Sequence, residues 1–286
     1  MAVKHYSEEL VYTETEDGLL LEGAVIAPAS GRPKPYAIIW VHGLTGRFYA
    51  PLMVQVGREL ARAGHLFVTG NNRGHDFGTM ILTKGNKVRF AGGAWERFDE
   101  SPRDVSAWVN LGAQLRPQGV VLVGHSLGAL KVVYAQAERQ DPRVRGLVLA
   151  SPPLRAGRAK PDLLALAERM VGEGRGQDLL PWGVNPVSGT LSAATYFNRA
   201  QVDMDVLGHA TADPAVARVR CPLLAFYGTE ERWLGRKEDL EVIRRNALAA
   251  PRVDVLMLEG ADHRYSGREQ VVAETIGRWV DTLETV

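Results

Sequence analysis

The chain has 286 residues, of which 45% are hydrophobic and 23% are charged, and its formal net charge at pH 7 is +1. These values are typical of one large globular domain, and they argue against nucleic acid or an anionic membrane as a partner. The single cysteine, Cys221, excludes an internal disulfide, and no apolar run approaches the roughly 20 residues of a membrane-spanning helix. The first residues lack the basic-then-apolar pattern of a signal peptide, so we expect a cytoplasmic protein.

The first predicted element is an antiparallel hairpin, because residues 9–27 alternate apolar and polar side chains around the turn signal Asp17-Gly18. Residues 71–100 are polar and rich in glycine, which predicts a long loop. Elsewhere, buried apolar runs alternate with helical patterns, which indicates a mostly parallel sheet covered by helices on both faces. The predicted strands are 36–41, 65–70, 120–123, 144–150, 222–227 and 253–258, and the predicted helices are 51–63, 101–115, 127–139, 236–249 and 270–283.

One long stretch breaks this alternation. Between residues 154 and 220 the chain holds only short helical patterns, at 161–172 and 192–201, among glycines and prolines. The stretch is too long for a simple connection in a compact domain. We therefore expect a core of residues 1–153 and 221–286, with residues 154–220 forming a cap over a substrate site. The alternative is a surface excursion with no role in catalysis.

Residues 124–128 read Gly-His-Ser-Leu-Gly and match the pattern G-x-S-x-G. The motif lies between a predicted buried strand and a predicted helix, which is the setting that a nucleophilic serine on a sharp turn requires. Side chains at the two glycine positions would crowd such a turn. The helix that begins at Leu127 would direct free N–H groups and its positive dipole end at the reaction centre. We predict that Ser126 is a nucleophile, against the alternative of an ordinary glycine-rich turn.

With this motif in place, the chain resembles the α/β-hydrolase superfamily over most of its length. The resemblance implies an α/β-hydrolase fold, in which a mostly parallel central sheet is flanked by helices and carries an inserted helical cap. It also implies a catalytic triad in the order serine, acid, histidine. Of the seven histidines, only His263 follows the final predicted strand, where the family places its base. Histidine suits this role because its ordinary pKa near 6.5 lets it accept a proton close to neutral pH.

The resemblance places the triad acid in the loop after the next-to-last strand, which reads Gly228-Thr-Glu-Glu-Arg-Trp. The commonest family spacing, three residues after the glycine, selects Glu231, and Glu230 is the alternative. The family's other location for the acid, after the strand that ends at Ala150, offers no carboxylate. Asp262, beside His263, is expected to shape the loop of the base instead of serving in the triad.

The family stabilises the developing oxyanion with two backbone N–H groups, which act as preplaced donors. One belongs to the residue after the nucleophile, here Leu127. The other follows an early strand, where His42-Gly43-Leu44 resembles the family motif H-G-x, so Leu44 is the expected second donor. His42 itself is expected to support this loop.

Aromatic residues in the loops and the cap could form an apolar substrate pocket. Packing between cap and sheet is the alternative for each of them. The Asn71-Asn-Arg-Gly-His turn and the Gly92-Gly-Ala-Trp stretch resemble, loosely, the siderophore-esterase-like branch of the superfamily. The pocket candidates are Trp95, Trp182, Tyr196 and Trp233, and further aromatics in these segments are Tyr49, Phe197 and Tyr265.

These features predict a serine hydrolase that cleaves a carboxylic ester of a small molecule through an acyl-enzyme. No metal or organic cofactor is expected, because the chain lacks a Cys/His cluster with zinc spacing and a nucleotide-binding glycine motif. Two alternatives stay open at the level of sequence. The same triad could act on a lactone, thioester, amide or carbon–carbon bond or transfer an acyl group, or the protein could be a ligand receptor on a hydrolase scaffold.

Overall fold

The computed structural model describes residues 5–31, 33–154, 159–231 and 234–283. Every strand and helix predicted outside residues 71–100 and 154–220 is present, with some ends shifted by a few residues. The strands are β1 (Tyr6–Glu14), β2 (Leu20–Pro28), β3 (Ala37–Val41), β4 (Leu66–Gly70), β5 (Thr79–Thr83), β6 (Lys87–Ala91), β7 (Val120–His125), β8 (Val144–Ala150), β9 (Leu223–Gly228) and β10 (Val253–Leu258). The α-helices are α1 (Pro51–Arg62), α2 (Ser101–Leu115), α3 (Leu127–Arg139), α4 (Pro161–Gly172), α5 (Ala193–Gln201), α6 (Lys237–Asn246) and α7 (Glu269–Asp281).

Eight of these strands form one sheet in the order β1-β2-β4-β3-β7-β8-β9-β10. From β4 to β10 all neighbours pair in parallel, whereas β2 is antiparallel to both β1 and β4. The predicted mostly parallel sheet is therefore confirmed. Because parallel strands end at one edge, the loops after β3, β7, β8, β9 and β10 meet there, and ligands of open α/β sheets bind at this edge.

Helices cover both faces of the sheet, and the side chains of β3 show why its sequence is apolar throughout. Ile38 and Trp40 pack in a core with α1 and α7. Ile39 and Val41 point the other way, into a core with α2 and α3. Successive strand residues face opposite sides, so a strand buried on both faces reads as a continuous hydrophobic run. Packing on both faces holds β3 in place, and β3 leads into one of the loops at the ligand-binding edge of the sheet.

The predicted loop of residues 71–100 contains a two-stranded sheet, β5–β6, that the sequence analysis missed. Its outward face carries the apolar pairs Met80–Phe90 and Leu82–Val88, which are exposed. Its inward face includes Arg89, whose guanidinium lies 3.2 Å from Asp17 and 3.4 Å from Glu100. The usual alternation, apolar inward and polar outward, is thus partly reversed, and the hydrophobic pattern does not resemble a half-buried strand.

The stretch predicted as a cap leaves the sheet after β8 and returns to it at β9. Its two helices, α4 and α5, share a small core of Ala167, Met170, Leu180 and Ala193. The division into a core of residues 1–153 and 221–286 and a cap of 154–220 stays a prediction. In the part of the chain that the structure describes, no helix is both long enough and apolar enough to span a membrane. The expected cytoplasmic location also stays a prediction.

Candidate active site

Ser126 lies on the sharp turn between β7 and α3, at the edge of the sheet where the parallel strands end. Its backbone has φ 55° and ψ −126°, a conformation that is costly for a residue with a side chain. The turn is held by its neighbours, because Ser126 N–H donates to the carbonyl of Ala150 at 2.9 Å. Strain of this kind is typical of a nucleophilic serine, whose sharp turn leaves the hydroxyl oxygen exposed.

The two glycines of the motif are required by close backbone packing. A β carbon on Gly124 would lie 2.4 Å from the carbonyl oxygen of Gly128. A β carbon on Gly128 would lie 2.1 Å from the carbonyl oxygen of Val41, at the end of β3. Both neighbouring atoms belong to the backbone and cannot move aside. The turn and the strand beside it therefore approach each other only because these positions lack side chains.

The loop after β3 lies directly against Ser126. A β carbon on Gly43 would be 2.8 Å from Cβ of Ser126 and 3.3 Å from the backbone nitrogen of Leu127. Leu127 is the first residue of α3, so its N–H has no carbonyl partner within the helix. The predicted donors of Leu44 and Leu127 thus belong to two segments that meet beside Ser126. Their role as an oxyanion hole stays a prediction.

His42 holds this loop from below. Its Nδ1–H donates to the carbonyl of Gly43 at 2.8 Å, and its Nε2 accepts from the N–H of Asn72 at 2.9 Å. These two bonds assign the proton to Nδ1. Burial lowers the pKa of His42 to about 3, so the ring is neutral at physiological pH. His42 is therefore a support of the loop, with both ring nitrogens occupied.

His263, in the loop after β10, lies against Glu231 in the loop after β9. Its Nδ1 is 2.8 Å from Oε1 of Glu231, whose side chain is 1% exposed, while the His263 side chain is 33% exposed. The carboxylate oxygen lies off the N–H direction, so the contact is close without being a well-aligned hydrogen bond. Catalytic hydrogen bonds in unliganded enzymes are often poorly aligned and tighten when substrate binds.

The alternative acid, Glu230, takes a different position. Its side chain is exposed, and its backbone N–H donates to the carbonyl of Ala261 at 2.9 Å. The preceding Gly228 allows the two loops to meet, because a β carbon there would lie 1.9 Å from the same carbonyl oxygen. Asp262 shapes the second loop by accepting from the N–H of Arg264 at 3.0 Å. The geometry thus favours Glu231 over Glu230 as the partner of the histidine.

His125 connects the loop of His263 with the turn of Ser126. Its ring stacks on His263 with centroids 4.9 Å apart, and its Nε2–H donates to the carbonyl of His263 at 2.9 Å. Since His125 precedes Ser126 in the chain, this contact holds His263 near Ser126. Within the described residues, the Ser126 hydroxyl makes no hydrogen bond with the His263 ring. The structure therefore brings the three predicted triad residues to one place without a closed proton path between serine and histidine.

Burial of neutral histidines predicts acid destabilisation of the fold. Burial lowers the pKa of His125, as it does that of His42, from 6.5 to about 3. Below pH 6.5 these two histidines become protonated in the unfolded chain but stay neutral in the folded chain. The free energy of unfolding should therefore be highest above pH 6.5 and fall towards pH 3, by at most about 1.4 kcal/mol per pH unit for each ring.

Urea unfolding at pH 7, 6, 5 and 4 measures this slope. His125→Gln keeps a donor for the carbonyl of His263 and removes the titrating ring, so its slope should be shallower than that of the wild type. His209→Gln, which changes an exposed histidine, serves as the control. Equal slopes for the wild type and His125→Gln would contradict the prediction.

The predicted pocket residues lie at different depths. Trp95 packs between Phe90 and the cap segment, with ring centroids 4.7 Å apart and its Nε1–H donating to the carbonyl of Gln177 at 2.9 Å. Trp182 is 80% exposed. Tyr196 is half-buried, and its hydroxyl accepts from the N–H of Lys160 at 2.8 Å. Trp233 lies outside the described residues, and the pocket role of all four stays a prediction.

A buried charge trio joins α3, the helix that begins beside Ser126, to the predicted cap. Lys131, on α3, lies 2.6 Å from Oε2 of Glu96, and Arg199, on α5, lies 3.1 Å from Oε1 of the same carboxylate. Lys131 and Glu96 are almost fully buried. Burial opposes the charge on Glu96, but the two cations outweigh it and hold the pKa of that carboxyl below its ordinary value. The carboxylate of Glu96 therefore stays charged inside the protein.

Two neighbours of the predicted triad were not expected from the sequence. The segment after β8 offers no carboxylate, but Ser151 there donates its hydroxyl proton to Oε2 of Glu231 at 2.6 Å. Tyr265, a candidate pocket aromatic, is fully buried, and its hydroxyl lies 2.6 Å from that of Ser151. No local sequence signal identifies either residue, since their contacts depend on how three loops assemble.

Among the described residues, no group of three or more His, Cys, Asp or Glu could hold a metal ion.

Comparison with known proteins identifies the family. The sequence profile described as "Alpha/beta hydrolase family" matches residues 38–275, so the chain belongs to the alpha/beta hydrolase family. The predicted fold and family are thereby confirmed. No curated protein matches the chain.

Several solved structures share this fold at low sequence identity. Est1E from Butyrivibrio proteoclasticus, solved with ferulic acid bound, has a TM-score of 0.67 and 18% identity, covering 96% of this chain and 98% of that one. The esterase domain of a Rhodothermus marinus protein has a TM-score of 0.60 and 20% identity, covering 97% and 99%. An esterase from Pyrococcus furiosus has a TM-score of 0.61 and 19% identity, covering 97% and 93%. These likenesses establish the fold alone.

Proposed function

We propose that the protein is a serine hydrolase that cleaves a carboxylic ester of a small molecule through an acyl-enzyme on Ser126. His263 is the base and Glu231 the acid of its triad. The observation that carries the proposal is the 2.8 Å contact between Nδ1 of His263 and Oε1 of Glu231, formed beside the strained serine turn. A buried carboxylate beside a partly exposed histidine is the pairing that a serine hydrolase needs, and it lies at the sheet edge where ligands of open α/β folds bind.

The proposed reaction begins with proton transfer. Nδ1–H of His263 faces Glu231, which leaves Nε2 free to accept the hydroxyl proton of Ser126. The serine oxygen then attacks the ester carbonyl carbon, and the carbonyl oxygen becomes an oxyanion. The backbone N–H groups of Leu44 and Leu127 are the proposed donors to this oxyanion, and one such donor is worth about 3 kcal/mol.

The second half of the reaction reuses the same histidine. Protonated His263 gives its proton to the departing alcohol, and the acyl group stays on Ser126 as an ester. A water molecule then loses a proton to His263 and attacks the acyl carbon. The bond from that carbon to the Ser126 oxygen breaks, and His263 returns the proton to the serine oxygen as the acid leaves. Glu231 stabilises the imidazolium that forms in each half.

The comparisons support ester substrates over other acyl compounds. Two of the proteins whose structures this chain resembles are described as esterases, and a third structure, that of Est1E, holds ferulic acid. We propose that residues 154–220 form the cap that selects the substrate, since this segment leaves the sheet after β8 and returns at β9. No observation favours a second function over ester hydrolysis.

The proposal is tested with p-nitrophenyl acetate and p-nitrophenyl butyrate, together with a fluorophosphonate that labels activated serines. The wild type should release p-nitrophenol with turnover. The label should stop the reaction and appear on Ser126 in peptide mass spectra. An adduct on another residue would overturn the nucleophile assignment, and labelling without any hydrolysis would favour a receptor with a vestigial site.

A further inference from the structure

The carboxylate of Glu231 is held at both oxygens. Oε1 faces Nδ1 of His263 at 2.8 Å, and Oε2 accepts from the hydroxyl of Ser151 at 2.6 Å. The oxygen of Ser151 lies in turn 2.6 Å from the hydroxyl of Tyr265. The three groups form a chain of hydroxyls that ends on the acid of the proposed triad. This chain, Tyr265–Ser151–Glu231, is called the hydroxyl relay below.

Proton counting sets the direction of the relay. An ionised carboxylate only accepts hydrogen bonds, so the single hydroxyl proton of Ser151 goes to Glu231. Ser151 then has no proton left for Tyr265, and the phenol must donate to Ser151. Burial raises the pKa of Tyr265 well above its ordinary value, which keeps the phenol protonated as this direction requires. Hydrogen bonds to a charged acceptor are also the stronger ones.

The backbone holds both hydroxyls in conformations that are costly for residues with side chains. Ser151 has φ 47° and Tyr265 has φ 52°, which are both in the left-handed region. Ser151 is fixed there by its N–H, which donates to the carbonyl of Phe226 in β9 at 2.9 Å. Tyr265 is fixed by its N–H, which donates to the carbonyl of Asp262 at 3.1 Å. Strain that the surrounding structure maintains is concentrated at functional sites.

We propose that Ser151 and Tyr265 are positioning residues that orient the carboxylate of Glu231 towards His263. A glutamate has one more rotatable bond than an aspartate, so its carboxylate needs an additional anchor to stay aligned. The relay supplies that anchor on the oxygen that does not face the histidine. Tyr265 follows His263 by two positions, so the relay also ties the loop of the base to the loop of the acid. This inference rests on the proposed function.

The test compares Ser151→Ala and Tyr265→Phe with the wild type on a p-nitrophenyl ester. Since the relay touches the acid and not the substrate, kcat should fall about tenfold with KM nearly unchanged. Tyr227→Phe is the matched control, because its fully buried hydroxyl donates to the carbonyl of Pro152 at 2.6 Å, outside the relay. Tyr265→Phe and Tyr227→Phe should lower Tm similarly, and only Tyr265→Phe should lower kcat.

A second set of variants, made in a protein that already carries Glu231→Gln, distinguishes failure of the relay from failure of the proposed function. With Glu231→Gln already present, adding Ser151→Ala or Tyr265→Phe should cause no further loss of kcat, because both act through that carboxylate. An additional tenfold loss in this background would overturn the relay, as would unchanged kcat in the two single variants. If neither Ser126→Ala nor Glu231→Gln lowers hydrolysis, the proposed function fails first, and the relay fails with it.

Discussion

Replacing Ser126 with alanine is expected to lower kcat by about 10⁶-fold on any ester that the wild type hydrolyses. The variant retains the turn but lacks the oxygen that attacks the carbonyl carbon. His263→Ala should cause a loss of similar size, because an unassisted serine hydroxyl is a poor nucleophile near neutral pH. The double variant should be no slower than either single variant, since the two groups act as one unit. Steady-state and single-turnover rates measure all three.

The controls are a serine and a histidine that lie outside the proposed triad. Ser266→Ala removes an exposed serine from the loop of the base, and His209→Gln replaces an exposed histidine of the cap segment. Both should keep wild-type kcat and KM. Losses that simply multiply in the Ser126/His263 double variant would show that the two residues act independently, which contradicts the proposed proton transfer.

Glu231→Gln is expected to lower kcat by about 10⁴-fold, and Glu230→Gln should leave it nearly unchanged. The amide of glutamine is close in shape to the carboxylate but carries no charge to stabilise an imidazolium. Its NH₂ group can also face Nδ1 and force the proton onto Nε2, the atom that must accept from Ser126. The neighbouring pair is a matched test because the side chain of Glu231 is 1% exposed and that of Glu230 is exposed.

The reverse order of effects would assign the acid to Glu230. Equal and small effects would leave His263 without an anionic partner and would contradict the triad. Melting temperatures of both variants must accompany the rates, since Glu231 is buried and its replacement also removes a charge-assisted bond from Ser151.

The local parts of the fold and site were predictable from the sequence. A strand buried on both faces needs only a run of apolar residues, as in β3 and β7. The serine turn needs two glycines at fixed positions, and Gly124 and Gly128 supply them. These signals lie within a few residues of each other, so no tertiary information is required to recognise them. The placement of His263 came from the resemblance to the family, which orders the triad along the chain.

The parts that escaped prediction depend on contacts between distant segments. Ser151 lies 80 positions from Glu231 and 114 positions from Tyr265 along the chain. No spacing rule connects residues so far apart, and a serine after a strand is common in any α/β protein.

The β5–β6 hairpin was not predicted for another reason. Its arginine is retained on the inner face by acidic partners from other elements, which reverses the expected polarity at Arg89.

The trio of Lys131, Glu96 and Arg199 limits how the proposed cap can be exchanged. A segment transplanted in place of residues 154–220 would remove the guanidinium and leave an interior carboxylate with one cation. The carboxylate would keep Lys131 as a partner but would lose the charge-assisted hydrogen bond from Arg199, and a bond of this kind contributes about 1.5–3 kcal/mol. A chimaera should therefore supply a hydrogen-bond donor at position 199 to keep the stability of this interior site. Exchange of the proposed cap is thus tied to α3, the helix that begins beside Ser126.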